Sequence, residues 1–309
     1  MKISKIFFCI PTFKELDKVK LFLNSLLNIK YKNIEIVIVN ANGRDKTSDL
    51  ISNSSISKKI KITELYGLKT EMWSSTLNRA LAYSLKNSKD NDFVLISNID
   101  IEFKDDIASL LIKKSKQLNN SQVGAISIYK NNIISSGVKV NSWFWTLNEH
   151  PFAGLDKSTN IKEVREVDYL PGRCFIFPIS YLKIAGLINS KYLPHYHADY
   201  EFSWRLSKFN CKAYIDPKSK IYVDMNNTGK SIFDSKTNFY MRLKNSISIK
   251  SPSNPYYRVI MVIKMFPLYA IPSGISLYLL RSFVELVFGG ITLRKLFNKN
   301  EKGFSGTNL

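Results

Sequence analysis

The sequence predicts an α/β fold: a mostly parallel central sheet with helices on both faces, followed by a C-terminal helical appendage. Three observations predict it. Strand-like runs alternate with helix-spaced segments four times in the first hundred residues, the signature of parallel βαβ units. The first and fourth strands, Ile6-Phe7-Phe8-Cys9-Ile10 and Phe93-Val94-Leu95-Ile96, are apolar without alternation, as strands buried on both faces are. Residues 226–309 then change character, with 12 Lys or Arg against 3 Asp or Glu. The expected organisation is one domain over residues 1–225, in two halves (1–102 and 103–225), and a basic, apolar helical region over 226–309.

In chain order, the first strand stops at Pro11-Thr12. Residues 15–28 carry Leu16, Val19, Leu23, Leu26 and Leu27 at helical spacing. Residues 34–39 form the second strand, closed by Asn40-Ala41-Asn42-Gly43, turn chemistry that lets the backbone approach a ligand. Asp45 opens a short helix. Residues 60–65 are the third strand, and a long helix over 70–85 places Trp73, Leu77, Ala80, Leu81 and Ser84 near its period. A helix over 105–118 and a strand over 123–129 follow the fourth strand. Residues 131–165 read as irregular. Their Trp143, Phe144 and Trp145 form either a small local core or a platform for a sugar or base ring. Strand character returns over 167–178 around Pro171-Gly172-Arg173. A helical turn over 181–185, a helix over 198–209 and a short strand over 213–215, ended by Asp216-Pro217, complete the domain.

The chain has 309 residues, 45 of them basic and 25 acidic, a formal net charge of +20. That excess favours anionic partners: nucleic acid, anionic lipid or phosphorylated substrates. No RNP-like, helix-turn-helix or zinc-finger pattern accompanies it, so nucleic acid is not the expected partner. Cys9, Cys174 and Cys211 are widely spaced and make no CxxC, neither a disulfide framework nor a zinc knuckle. The start, Met1 to Lys5, runs straight into a strand without a signal-peptide core, so a cytoplasmic location is expected.

In the appendage, residues 265–280 are uncharged but interrupted by Pro267, Pro272 and Gly274, and Arg281 and Glu285 break the continuation. A spanning helix needs about 20 apolar residues, so this segment reads as too short and too broken. Residues 259–263 and 277–280, flanked by Arg258, Lys264, Arg281, Arg294 and Lys295, read as interfacial amphipathic helices on an anionic membrane surface. The alternatives are helices packed on the domain or at a homodimer interface.

Two clusters carry chemistry. Asn98-Ile99-Asp100-Ile101-Glu102 lies just past the fourth strand, where open α/β sheets bind ligands. Two carboxylates two residues apart suit a hard divalent cation that keeps open positions for phosphate oxygens, or are solvated acids in a turn. The second cluster runs from His195 to Arg205. His195, His197 and Asp199 have the HxHxD spacing of metallo-β-lactamase-like hydrolases. That reading fails, because Tyr200 stands where the next His belongs and the only other histidine, His150, lies upstream. The other reading is a helix start with Glu201 and Arg205 paired at i, i+4 and Asp199 placed to accept a proton from a substrate hydroxyl.

Taken together, these segments resemble family 2 glycosyltransferases of the GT-A fold, over residues 6–224. Ile10-Pro11-Thr12-Phe13 looks like that family's V-x-I-P-T-Y/F-N start, and residues 39–47 fall on its V-D-D/N-G-S-T-D-G-T. Asn98-Ile99-Asp100-Ile101 is similar to the N-P-D-V form of its DxD motif in rhamnosyltransferase-like members. Asp168 to Cys174 resembles the G-x-C/A segment lining the acceptor side, and Asp199 to Arg205 falls on E-D-v-D-f-c-l-R. Each piece alone is weak; five in order are not.

The resemblance implies an inverting, metal-dependent hexosyl- or deoxyhexosyltransferase. Residues 1–102 would bind a nucleotide-sugar donor (UDP-, dTDP- or GDP-linked), and residues 103–225 a glycan or lipid-linked acceptor. Pro11, Thr12, Phe13, Asn40 and Asn98 would border the donor. Asp100, with Glu102 and Asp224 as further ligands, would hold Mg2+ or Mn2+. Asp199 would be the base, and Gly172, Arg173, Glu201, Trp143 and Trp145 would line the acceptor. Three departures from the pattern stand out. Asn40 and Ala41 replace acids that contact the base and ribose, Asn98 replaces the first acid of DxD, and Asp224 lies near the place of a metal-binding His. Lys230 and Ser231 lie in a Gly229-containing loop, either closing over phosphate or solvated. The departures also suit an inactive nucleotide-sugar-binding relative. A nucleic-acid-binding protein is the more distant rival. A nucleotidyltransferase lacks its Gly-rich loop here.

Overall fold

The computed structural model describes residues 3–224 and 238–288. Its first half is a run of βαβ units. β1 (Ile6–Thr12), α1 (Leu16–Ser25), β2 (Ile34–Asn40), α2 (Lys46–Ser52), β3 (Lys61–Tyr66), α3 (Trp73–Asn87) and β4 (Phe93–Ser97) alternate as expected. β5 (Ile101–Glu102), α4 (Ile107–Gln117), β6 (Gln122–Tyr129) and β7 (Asn132–Ser135) follow, then a hairpin of β8 (Lys139–Ser142) and β9 (Leu147–Glu149). β10 (Arg165–Val167), β11 (Cys174–Pro178), α5 (Ile179–Ala185), α6 (Ala198–Lys208) and β12 (Ala213–Val223) complete the domain. The C-terminal helices are α7 (Phe239–Ser246), α8 (Pro255–Met265) and α9 (Ile271–Phe288).

The main sheet runs β10-β12-β6-β11-β4-β1-β2-β3. β3, β2, β1 and β4 are mutually parallel, as are β6 and β12, while β11 inserts antiparallel between β4 and β6. Strand alternation splits the core between the two faces. On β1, Ile6, Phe8 and Ile10 join the cluster under α1, α2 and α4, whereas Phe7 and Cys9 join the cluster under α3, α5 and α6. The chain order reverses at β1, which lies between β2 and β4. That switch point opens a crevice at the strands' carboxyl ends.

The structure departs from the sequence reading in four places. Residues 131–165 hold three short strands, not one irregular stretch; β9 is exposed throughout, so no burial pattern marks it. The strand expected through Pro171-Gly172-Arg173 is interrupted there, and pairing resumes at Cys174 opposite Ser97. Proline has no N–H to give a ladder, while the N–H groups of Leu170 and Gly172 donate to Ser203 and Asp199 instead. β12 does not stop at Pro217: its register shifts between Asp216 and Lys220, and it continues to Val223. A bulge is one of the few places a strand tolerates proline.

The fourth correction concerns the tail. α9 is one unbroken helix, and by length and composition Leu268–Phe288 is long and apolar enough to cross a membrane. Pro272 is its second residue, where a missing N–H costs nothing. Gly274 lets Phe266 and Val262 approach; a Cβ there would lie 2.8 Å from the Phe266 ring. α8 and α9 form a hairpin whose inner face shares a core with Val138, Tyr169 and Tyr200. The buried Arg258 guanidinium clamps it, pairing with Glu285 at 2.9 Å and donating to Ser282 Oγ at 2.8 Å.

Candidate active site

The end of β4 is tied to the turn before β11. Asn98 N donates to Arg173 O at 3.2 Å, and the ladder sets Cys174 opposite Ser97. The Trp73 indole N–H, at the start of α3, donates to Asn98 Oδ1 at 2.9 Å. Gly172 is wedged behind this pair: a Cβ there would lie 2.9 Å from Asp199 Cβ and 2.9 Å from Trp73 Cζ2. Gly172 N donates to Asp199 Oδ2 at 2.7 Å, and Leu170 N to Ser203 Oγ at 2.8 Å, so the turn is pinned to the first two turns of α6. Gln122 locks the far side of Ser203, accepting its hydroxyl proton at 2.7 Å.

Asp199 therefore enters the crevice as a half-buried carboxylate. Burial raises its pKa, opposed by the backbone N–H groups of Gly172, Tyr200 and Asp199 itself and by the Arg173 charge. Tyr196 lies where both halves of the site are felt. Burial raises its phenol, Arg173 opposes, and the charges of Asp199 and Asp100 both raise it further.

The β5–β12 ladder pairs Tyr222 with Glu102 and Val223 with Ile101, so Asp224 and Asp100 both adjoin the same end of the ladder. Lys18 on α1 has a raised pKa: burial lowers it, but the Glu15 hydrogen bond and charge outweigh this, with the charges of Asp100 and Asp224 adding to them. Glu102 is exposed, and no three carboxylate, imidazole or thiolate groups gather as a metal cluster among the described residues. Glu102 thus does not join Asp100 and Asp224 in a three-carboxylate cluster among the described residues. Two carboxylates at that end of the ladder suit a hard cation that keeps positions for phosphate oxygens.

On the donor side, Thr12 ends β1 opposite Asn40. The Thr12 hydroxyl is buried with no partner among the described residues, a state that calls for a ligand or water. Phe13 is half-buried beside it, with Lys14 and Lys250 ammonium groups 5.3 and 5.9 Å from its ring centre. Asn40 is engaged in its own turn, donating to Asp45 Oδ1 at 2.9 Å and accepting from Asn42 N at 3.1 Å. Asp45 in turn caps α2; burial raises its pKa, but the Asn42, Asn40 and Thr47 hydrogen bonds outweigh that and hold it at about 2.

Three residues expected on the acceptor side lie elsewhere. Glu201 is buried against Arg205, paired at 2.8 Å, and lines a separate cavity of about 560 Å³ with Trp204 and Lys264. It follows Asp199 by two positions, which on a helix is the opposite face. Trp143 packs edge-on against Phe266 at 4.8 Å and belongs to the α8–α9 core. Trp145 stands on the β8–β9 hairpin tip, 62% exposed, edge-on to Phe144. Gly229, Lys230, Ser231, Arg294 and Lys295 lie outside the described residues. His197 is buried and left-handed at the start of α6, not a ligand beside His195. Sequence reasoning missed Trp73, Lys18 and Tyr196 as site residues, since each reads as an ordinary helix or loop position.

A parallel β3-β2-β1-β4 block continued by a mixed half, with carboxylates at the switch point, is a GT-A fold. Residues 7–180 match the model of glycosyl transferase family 2, and the chain belongs to that family. No curated protein matches it by sequence. Among solved structures it is similar to GalNAc-T7 with UDP, GalNAc and Mn2+ (TM-score 0.55, 11% identity), over 94% of this chain and 57% of that one. It is similar also to S. aureus TarS 1-349 (TM-score 0.55, 11% identity, 96% of this chain and 76% of that one). A third likeness is the mannosyltransferase PcManGT from Pyrobaculum calidifontis with GDP-Man and Mn2+ (TM-score 0.52, 13% identity, 96% and 79%). The chain thus spans just over half of the GalNAc-T7 structure, and at these identities the likeness is one of fold.

Proposed function

We propose that this family member is an inverting, metal-dependent glycosyltransferase. It moves a hexosyl or deoxyhexosyl group from a nucleotide-diphosphate donor to a hydroxyl of a cell-envelope or lipid-linked glycan. The observation that carries the reading is Asp199 held by Gly172 N–H at 2.7 Å, in the turn that Arg173 O ties to Asn98 at the end of β4. Similar structures holding UDP or GDP-Man with Mn2+ support a nucleotide-sugar donor.

Thr12 and Phe13 border the nucleotide, and Asp100 with Asp224 would hold Mg2+ or Mn2+. When bound, that cation supplies Lewis-acid stabilisation of charge on the departing diphosphate. Asp199, oriented by Gly172 N–H, takes the proton of the acceptor hydroxyl as its oxygen attacks the anomeric carbon. The bond from that carbon to the diphosphate oxygen breaks with its electron pair on the opposite face, so configuration inverts. Gly172 and Arg173 form the wall between donor and acceptor.

The full chain is incubated with Mn2+ or Mg2+ and a panel of UDP-, dTDP- and GDP-sugars, and nucleoside diphosphate release is measured. Release from one donor is expected, and Asp199→Asn should lower transfer about 10²–10⁴-fold while keeping its circular dichroism. No release from any donor, or full activity in folded Asp199→Asn, refutes the reading. A second reading, donor binding without turnover, is favoured by Asn40, whose amide is spent within its own turn. Nucleoside diphosphate binding with no product would establish it.

The tail supports action at the inner face of a cell membrane. Leu268, Tyr269, Leu280 and Phe283 are exposed, Leu268 to 86%, beside Lys264. Apolar side chains with a basic flank bind anionic lipid surfaces. α9 carries Glu285 on its inner face, bound to Arg258 of α8, which favours a hairpin lying in the interface over a lone span.

A further inference from the structure

We infer that the cavity beside α6 is a binding site for the phosphate of an anionic membrane lipid, gripped by Lys191 and Lys264. The inference rests on the membrane reading of the tail above and deepens it. The cavity, of about 560 Å³, lies between α6, the loop that precedes it and the last turn of α8. Glu201, Trp204 and Arg205 supply one wall. Their i, i+3 and i+4 spacing places them on one helix face, the face turned away from Asp199. The cavity is therefore separate from the catalytic crevice. Ser190 and Lys191 come from the loop, and Lys264 from α8.

Three cations and one carboxylate line the cavity. The carboxylate is spent: Glu201 Oε1 accepts from Arg205 Nε at 2.8 Å, and the other Arg205 nitrogens donate to the Ala185 and Leu187 carbonyls. That leaves Lys191 and Lys264, which no carboxylate pairs among the described residues. Both ammonium groups gather at one ring, 5.3 and 5.1 Å from the Tyr192 ring centre. Lys208 adds a further cation, 4.6 Å from the Trp204 ring centre. Like charges gathered without a counter-ion repel. A phosphate between them replaces that repulsion with charge-assisted hydrogen bonds. A neutral glycan would use the aromatic wall but leave the ammonium groups uncompensated. The neighbourhood favours a lipid over a free anion. Lys264 follows Ile263 and lies just before Leu268 and Tyr269, all three exposed. A phosphate held at Lys264 thus has apolar side chains beside it for its acyl chains.

The probe is dihexanoyl phosphatidylglycerol, kept below its micelle concentration and titrated calorimetrically into the full chain. Dihexanoyl phosphatidylcholine and inorganic phosphate are titrated beside it. Saturable one-site binding of phosphatidylglycerol is expected, at least about tenfold tighter than either comparison. Choline brings a cation to the ammonium groups, and inorganic phosphate brings no chains. Lys191→Gln/Lys264→Gln removes two exposed charges and should weaken the binding about tenfold to thirtyfold. Ser190→Phe keeps every charge but fills the cavity, so it should weaken the binding by a similar factor, which diffuse surface charge would not produce. Circular dichroism checks that both variants keep the fold. Equal binding by wild type and either folded variant overturns the site, and so does equal binding of phosphatidylglycerol and inorganic phosphate by wild type. Co-sedimentation with phosphatidylglycerol vesicles separates this from the membrane reading. If wild type sediments but shows no saturable binding of the monomeric lipid, that reading stands and the site falls. If wild type does not sediment, both fall.

Discussion

Asp199 is held by opposing effects, and its behaviour follows from their balance. Burial raises its carboxyl above the ordinary range. A base must be ionised, so kcat/KM should fall as pH drops through that raised value, with an acid limb above the usual carboxylate pKa near 4. The stability sign is the reverse. A folded pKa above the unfolded one means the folded state binds more protons. The group's stabilising contribution is full below the unfolded pKa and is lost as pH rises through the folded one. Asp199→Asn should therefore melt no lower than wild type at neutral pH, and its relative advantage should vanish below about pH 4; thermal scans across pH check this. Gly172 is the companion case. A methyl there lies 2.9 Å from Asp199 Cβ and from Trp73. Gly172→Ala should cost about 10²-fold in turnover through misplacement of the base, with a stability loss of about 1–3 kcal/mol.

Among elements, α6 serves two masters. Its first turn faces the crevice through Asp199, while Tyr200 packs on Tyr169 at 4.9 Å and joins the core of the C-terminal hairpin. The hairpin is thereby coupled to the base through one helical turn. Its own cohesion depends on Arg258, buried and held by Glu285, Ser282 and the Pro252 carbonyl. Glu285→Ala leaves that guanidinium buried without its counter-ion, which should cost about 3–5 kcal/mol in a urea melt. Arg258→Met with Glu285→Leu, which removes both charges, should recover most of it. Equal loss in the single and double variants would show that the clamp's charge balance is not what holds the hairpin.

For the molecule as a whole, one side of the hairpin is packed and the other bears exposed Leu268, Tyr269, Leu280 and Phe283. Because the packed side shares a core with Tyr169 and Tyr200, removing the tail would expose that core. Surface substitution is the cleaner probe. Replacing those four residues with Ser should leave the fold and donor hydrolysis intact while lowering binding to anionic vesicles at least about tenfold, an effect read by co-sedimentation. Unchanged sedimentation would remove the membrane reading.

The three βαβ units of the first half and the family pattern were legible in the chain because strand burial and helical period are local signals. Val94 and Leu95 need no partner to announce a buried strand. Glu201 and Trp143 show the limit. Their residue types suit an acceptor site, but helix phase turns Glu201 away from Asp199, and the α8–α9 hairpin claims Trp143. Sequence alone determined the fold class and named Asp100, Asp199 and Asp224. Only tertiary structure could bring Asp224 and Asp100 to one end of the β5–β12 ladder, wedge Gly172 between Asp199 and Trp73, and turn the Asn98 amide oxygen to Trp73. Those relations depend on strand register and on contacts between residues 25 to 124 positions apart, which no local pattern encodes.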